Sequence, residues 1–375
     1  MNWKPSAATL AADATHSASR WRPLIAALPR HEFMPRWWQP VADGWTLCDG
    51  SANEERWQSV AYADRSVILR VGPHHADHAD THDRPVGGPT SSATLPSLVV
   101  RMFQHARIAD GDQLLDVGTG SGYGTALAAL RLGEDHVTSV DINDYLVSAA
   151  RDRLDTIGLR PHIEALDATE DLPGMYDRIV ATVGVRPVPV SWLRALKPGG
   201  RLVTTISGTT LIVTATKRDD GSAVGRVEWD RAGFMKALTG DDFAPLPAGL
   251  IDTARNGEGE SVTIGQYPVV DVQEAWDLAS MLDIEAPGTV CGYTVKGDER
   301  TTWLAHPDGS WARATSYGGQ NPLVHQSGPQ GLWDVLDRIR CYWLEHGELP
   351  VRGARVLITA EGQTRLARGA WRAVL

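Results

Sequence analysis

The pattern of apolar and polar positions divides the chain into three textures. Between residues 112 and 212, short β-branched runs alternate with amphipathic stretches. The runs at 113–117, 136–140, 178–183 and 201–206 read as strands, and 123–132, 144–157 and 189–196 read as helices. Such alternation predicts a largely parallel sheet with helices on both faces. Just upstream, Leu95, Leu98, Val99, Met102, Phe103 and Ala106 recur at helical spacing and predict an amphipathic helix over 94–108. Thr94 stands at its start, where a hydroxyl can cap free backbone N–H groups, as Asn143 can for the helix from Asp144. Residues 1–90 read as an N-terminal module with a helix at 21–28, punctuation at Pro29 and Pro35, and a loop from 72 to 92. After about residue 240 the texture changes. Ala244 to Gly249 (APLPAG) reads as a linker. Short alternating segments at 289–295, 301–305 and 311–314, a helix over 331–345 and a strand over 355–360 predict an α+β unit that could fold by itself. The expected division is 1–90, 91–243 and 244–375.

The first strand of the alternating region runs into Asp116-Val-Gly-Thr-Gly-Ser-Gly122, and a second acidic residue, Asp141, ends the next apolar run. Glycines let the backbone pass close to a ligand, and an acidic strand tip is placed to take both hydroxyls of a ribose. The spacing is G-x-G-x-G, not the G-x-G-x-x-G of dinucleotide binders, and no Lys-Ser/Thr follows to make a phosphate loop. A plain strand-to-helix turn is the simpler alternative, and the acidic tip at the right distance argues against it. The pattern resembles the S-adenosylmethionine site of Rossmann-like methyltransferases.

Composition narrows the partners. A net charge of −10, with no block of Lys and Arg, argues against a general nucleic-acid binder. Cys48, Cys291 and Cys341 are far apart and form no CxxC pair, which fits a reducing compartment and excludes a cysteine zinc site. No run approaches the ~20 apolar residues of a membrane span, and the N-terminus has no signal-peptide core. A cytoplasmic location is the expectation. Fourteen tryptophans point either to ordinary core packing or to a groove with aromatic walls suited to a peptide.

Four further motifs carry a family resemblance up to about residue 240. Pro29-Arg30-His31-Glu32-Phe33-Met34-Pro35, Ala61-Tyr62-Ala63-Asp64, the Gly118–Tyr123 loop and Lys197-Pro-Gly-Gly-Arg-Leu-Val203 resemble, in order, segments of the protein-L-isoaspartate O-methyltransferases. The resemblance implies an α/β, Rossmann-like class I S-adenosylmethionine-dependent methyltransferase fold. It implies a carboxyl methyl ester as product, with S-adenosylhomocysteine released. By this resemblance Asp116, Gly118, Thr119, Gly120, Gly122, Tyr123, Asp141, Ile142, Asp167 and Ala168 hold the cofactor. Asp116 would order the loop and meet the cofactor's ammonium, and Asp167 the adenine amino group. The family has a T-I-S-Q-P segment whose Ser lies beside the substrate carboxylate. Here the stretch reads Ser92-Ala93-Thr94-Leu95-Pro96, so Thr stands for Ser and Leu for Gln. Thr94 and Ser92 are the candidate acceptor-side residues, and the altered pocket puts isoaspartate as substrate in question. The C-terminal α+β addition resembles the extended members that act in the biosynthesis of ribosomal peptides, the graspetides and some lanthipeptides. Those esterify a normal Asp in a modified, pre-cyclised precursor, and the ester then closes to an aspartimide. Repair of damaged proteins is the alternative function.

The chemistry itself asks for no metal and no general base, because a side-chain carboxyl titrates near ~4 and is already ionised. The segment His74 to Asp83, dense in His and Asp, therefore reads as a solvated loop, here expected near the acceptor pocket, where it could close on a peptide. In the C-terminal region Trp303, Trp311, Tyr317, Trp333, Tyr342 and Trp343 are the expected aromatic faces for substrate capture. Leu332, Val335, Leu336, Ile339, Tyr342 and Trp343 form one stripe of the long helix. Nothing in the sequence sets an oligomeric state.

Overall fold

In the strand Leu114–Val117 every side chain is buried, which requires cover on both faces of its sheet. The computed structural model, which describes residues 1–237 and 246–375, shows how that cover arises. The central sheet has ten strands. Its parallel part runs His162–Ala165, Val137–Asp141, Leu114–Val117, Tyr176–Val185, Leu196–Ile206. Antiparallel strands then continue it: Leu211–Lys217, Ala223–Arg231, Arg355–Ile358, Thr364–Arg368 and Trp371–Val374. The helices Tyr123–Leu132, Asp144–Thr156 and Val190–Ala195 connect the parallel strands. The expected strand-and-helix alternation is present, and the helix predicted over 123–132 has those bounds.

Alternate residues of these strands point to opposite faces. Leu114, Val180 and Val203 join a core with Ala7, Leu10, Phe33, Met102 and Phe103 from the N-terminal half. Leu115, Ile179 and Leu202 join another with Leu282, Leu304, Trp333 and Leu336 from the C-terminal half. One face of the methyltransferase sheet is thus roofed by the N-terminal module and the other by the C-terminal region.

This arrangement corrects the expected division. The boundary at 90/91 falls inside the strand Pro89–Ala93, which pairs with Val67–Val71 of an N-terminal sheet. The C-terminal region forms the expected additional α+β unit, and its last strands join the central sheet. After an inserted five-stranded antiparallel sheet (residues 261–327) and the helices Leu250–Asn256, Trp276–Glu285 and Leu332–His346, the chain returns at Arg355 to pair with Ala223–Arg231. The reason is that Ala223–Arg231 would otherwise be a sheet edge with unpaired backbone groups. The boundary at 243/244 and the first two residues of the expected linker, 244 and 245, lie outside the described residues.

Two other differences are local. Lys4–Ala14 is a helix, which an Ala-rich run with no side-chain cap does not announce. The helix expected from Thr94 begins at Pro96, its N-cap is Leu95, and no side chain of the helix caps it. Caps come instead from across the chain: Asp64 Oδ1 accepts from Ser97 N at 2.9 Å and Ser66 Oγ accepts from Leu95 N at 3.2 Å.

Candidate active site

At the carboxyl ends of the parallel strands lies a cleft of about 580 Å³. Its floor is the Asp116–Gly122 turn. Gly118, Gly120 and Gly122 have φ of 96°, 51° and 89°, a region L side chains rarely adopt. A Cβ on Gly118 would come within 3.0 Å of the Thr182 and Val183 side chains, and one on Gly122 within 3.1 Å of Ala150. A Cβ on Gly120 would instead have only the Ser92 and Gly118 carbonyl oxygens nearby, at 3.7 and 3.8 Å, both from residues that line the cleft. That position keeps a cradle clear for a ligand.

Asp116 is fully enclosed and supports the turn from below. Its Oδ2 accepts from Thr125 Oγ1 at 2.7 Å and Ser139 Oγ at 2.9 Å. Burial pushes its carboxyl up to about 6 despite these donors. Asp141 stands at the tip of the neighbouring strand, accepting from Gly120 N at 3.0 Å and Asn143 N at 3.1 Å. Burial raises its pKa, and backbone donors and Arg70 act against that rise. Asp167 Oδ1 accepts from Thr169 N and Oγ1, while the Ala168 carbonyl is held by Ser191 Oγ and Trp192 Nε1. Gly118, Thr119, Gly120, Tyr123, Asp141, Ile142, Asp167 and Ala168 all line this one cleft. Thr119 also bonds Ser139 Oγ at 2.7 Å. Gly122 is not among the lining residues and acts as N-cap of the helix that leaves the turn. Tyr123 is 1% exposed and its hydroxyl has no hydrogen-bond partner.

Ser92 and Thr94 line the same cleft. With Asp64 and Ser66 doing the capping, the Thr94 hydroxyl makes no hydrogen bond among the described residues. The sequence reading that Thr94 caps its helix is corrected. Thr94 is held by its backbone: its carbonyl accepts from Arg30 Nη2 at 3.2 Å. The same guanidinium donates to the carbonyls of Ala61, Ala63 and Arg65 and stacks over the Tyr123 ring at 5.4 Å. Full burial lowers its pKa to about 10. Arg30 and Asp64 sit in motifs visible in the sequence, yet nothing in one dimension showed that they meet at residues 94–97.

The walls also include Thr210, residues 231–237 and, from the C-terminal region, Trp276. The guanidinium of Arg231 lies 3.7 Å from the Trp276 ring centroid. The aromatic residues expected to capture substrate are elsewhere. Trp303, Trp311 and Trp333 are 6%, 4% and 2% exposed and belong to the core. Tyr317 bonds Glu299, Tyr342 stacks on His346, and Trp343 is exposed on the outer side of its helix; none lines the cleft. Helical phase explains the exchange, since Trp333 rather than Trp343 completes the buried stripe with Leu332, Leu336 and Ile339.

The His74–Asp83 segment also sits away from the cleft walls. Asp77 Oδ2 accepts from Tyr145 Oη at 2.6 Å and pairs with Arg153 at 2.5 Å, clamping the segment to the helix Asp144–Thr156. His75 is buried against Tyr145 and its pKa is lowered to about 4, first by desolvation. Among the described residues no group of three or more His, Cys, Asp and Glu could hold a metal ion. Among them, too, no helix is long and apolar enough to cross a membrane.

Residues 54–232 match the family model described as Protein-L-isoaspartate(D-aspartate) O-methyltransferase (PCMT). The protein-L-isoaspartate O-methyltransferase of Thermococcus onnurineus is 39% identical over 142 residues, 36% of this chain and 63% of that one. The Ignicoccus hospitalis protein of the same name is 34% identical over 152 residues, 39% of this chain and 70% of that one. A solved structure titled protein-L-isoaspartate O-methyltransferase has the same fold over 97% of this chain and 99% of its own, with a TM-score of 0.52 at 16% identity. Its coverage includes the C-terminal region, so possession of that region does not by itself set this chain apart.

Proposed function

The chain belongs to the protein-L-isoaspartate O-methyltransferase family of class I S-adenosylmethionine-dependent methyltransferases, and on that premise we propose that it esterifies a peptide carboxylate, specifically the side chain of a normal Asp in a ribosomally made, modified peptide. The residues fit the cofactor: a glycine cradle that a Cβ would fill, an acidic strand tip beside it, and Asp167 with Ala168 on the next connection. S-adenosylmethionine, when bound, supplies a methyl group on a sulfonium.

Asp141 would take the ribose hydroxyls, the Gly118–Gly120 backbone would border the methionine portion, and Asp167 would meet the adenine edge. The acceptor carboxylate is ionised at neutral pH and needs no base. The protein's part is alignment and removal of water. Thr94 Oγ would donate one neutral hydrogen bond to the acceptor, worth roughly 1 kcal/mol net. A cation on the reacting oxygens would oppose the reaction, because charge is cancelled as the O–C bond forms and the C–S bond breaks. A hydroxyl orients without that penalty. In the product ester, the next residue's backbone nitrogen attacks the carbonyl, loses its proton and expels methanol. This closure is intramolecular and needs no further group on the enzyme.

The observation that carries the reading of a normal Asp over isoaspartate is the acceptor segment. Thr94 and Leu95 stand where the family has Ser and Gln, and the Thr94 hydroxyl is not spent on the helix. Repair of isoaspartyl proteins is the second reading, favoured by the relatives' names. Mass spectrometry separates them. Paired peptides containing Asp or isoAsp, together with any modified precursor peptide encoded nearby, are incubated with protein and S-adenosylmethionine. Gain of one methyl group on the Asp form, followed by loss of methanol, is the expected result. Methylation of the isoAsp form alone would return the protein to repair.

A further inference from the structure

The cleft is electrostatically divided. Its only carboxylates among the described residues are Asp116, Asp141 and Asp167, all at or just past the carboxyl ends of the parallel strands. The other charged lining residues are Arg70, Arg101, Arg231 and Lys236. Arg70 favours the ionised form of Asp141, and Lys236 that of Asp283. Arg101 and Arg231 pair with no carboxylate among the described residues. In a chain of net charge −10, an acceptor wall that among the described residues has unpaired cations and no carboxylate is complementary to an acidic ligand.

Arg231 is also the cation most firmly presented. It lies at the end of the strand Ala223–Arg231 and stacks on Trp276, the first residue of the helix Trp276–Glu285. That helix is fastened to the methyltransferase sheet at three further points. Asp277 pairs with Arg352 at 2.7 Å, and Arg352 in turn donates to the Asp230 carbonyl at 2.8 Å. Ser280 Oγ accepts from Thr210 N at 3.1 Å, and Asp283 pairs with Arg186 at 2.7 Å. A guanidinium held over an indole by its central carbon keeps N–H groups for a two-point contact with a carboxylate.

We propose that Arg231, held on Trp276, is a specificity-determining residue that receives a second carboxylate of the acceptor peptide, so that the preferred substrate carries an Asp or Glu side chain close to the residue being methylated. This rests on the reading of the cleft as the site of a carboxyl methyltransferase. The carboxylate concerned is not the reacting one, since a cation there would resist the loss of charge. It is bound equally in ground and transition states, so it acts on KM more than on kcat.

The test uses full-length protein saturated with S-adenosylhomocysteine. Its probes are acetylated, amidated peptides with a central Asp-Gly or isoAsp-Gly and Glu or Gln at each of the flanking positions. Titration calorimetry is expected to show, at one flanking position, a Glu peptide binding at least about tenfold more tightly than its Gln twin, the range for a hydrogen-bonded charge. Arg231→Gln should abolish that difference while leaving S-adenosylhomocysteine affinity intact, and Trp276→Leu should reduce it. Equal binding of Glu and Gln peptides at every position would overturn the proposal. So would an Arg231→Gln variant that weakens both twins alike. Turnover of the same peptides reports the proposed function separately: a Glu preference in binding with methylation of isoAsp alone would leave Arg231 its role and remove the normal-Asp reading.

Discussion

The glycine-turn side of the cleft and its acceptor wall are built in different ways. On the first, polar groups are wired within neighbouring strands and turns: Asp116 to Thr125 and Ser139, Asp141 to Gly120 and Asn143, Asp167 to Thr169. On the second, the walls come from residues 66–103, 210, 231–237 and 276, which belong to the N-terminal sheet and its helix, the central sheet and the helix Trp276–Glu285. The first is pre-organised by local geometry. The second depends on the N-terminal module, through Arg30 and Asp64, and on the C-terminal region, through Trp276. A ligand common to a whole family fits the first arrangement, and a specific acceptor fits the second.

Deleting residues 355–375 should have the largest effect. It strips three strands from the central sheet, removes Val356, Ile358 and Leu366 from the core and exposes the edge of Ala223–Arg231, whose end carries Arg231. We expect insoluble or unfolded protein by circular dichroism and gel filtration. A soluble, S-adenosylhomocysteine-binding product would show that the C-terminal strands are an appendage.

Asp116 offers a pH test of the glycine-turn side. Its folded pKa of about 6 lies above the ordinary value of 3.8, so the folded state binds this proton more tightly than the unfolded state does. The associated stability is full below 3.8 and is lost as pH rises through about 6. Asp116→Asn cannot titrate. The stability of wild type relative to this variant should therefore fall across that window, by up to about 3 kcal/mol for a fully buried group. Chemical denaturation along a pH series measures it, and a flat difference would contradict the burial.

Asp141→Ala should weaken S-adenosylhomocysteine about 10- to 100-fold, the cost of losing hydrogen bonds to a charged acceptor, while the fold persists. Calorimetry reads this directly. In wild type the same affinity should decline as pH falls through the raised Asp141 pKa, because the protonated carboxyl is the poorer acceptor. The smallest effect belongs to the acceptor wall. Thr94→Val should lower kcat by about fivefold, one neutral hydrogen bond, and leave S-adenosylhomocysteine binding unchanged. A fall in thermal stability in place of kcat would mean that the hydroxyl is structural.

Legibility in the sequence follows the same line. The turn, its strand and its helix are contiguous, so G-x-G-x-G and the acidic tip could be read directly, and the helix ends fell where expected. Thr94 was found by its position in a motif, but its assignment as a cap failed because Asp64 and Ser66, distant in sequence, supply the caps. Trp276 escaped notice because its helix carries no strong stripe, and its importance lies wholly in meeting Arg231 across the fold. Of the aromatic residues singled out on strands and the long helix, Trp303, Trp311 and Trp333 proved to be core, and Tyr317 and Trp343 are exposed away from the cleft. The strand Thr364–Arg368 has a plain alternation, with Thr364 and Leu366 buried and Arg365 exposed between them, but alternation does not say which sheet a strand joins.

The choice between Asp and isoAsp falls to the acceptor wall. The most direct measurement is the ratio of kcat/KM for an Asp peptide to that for its isoAsp twin, determined for the wild type and for Thr94→Ser. A ratio well above one is expected in the wild type, falling in Thr94→Ser. A wild-type ratio below one, unchanged by the substitution, would contradict a preference for Asp.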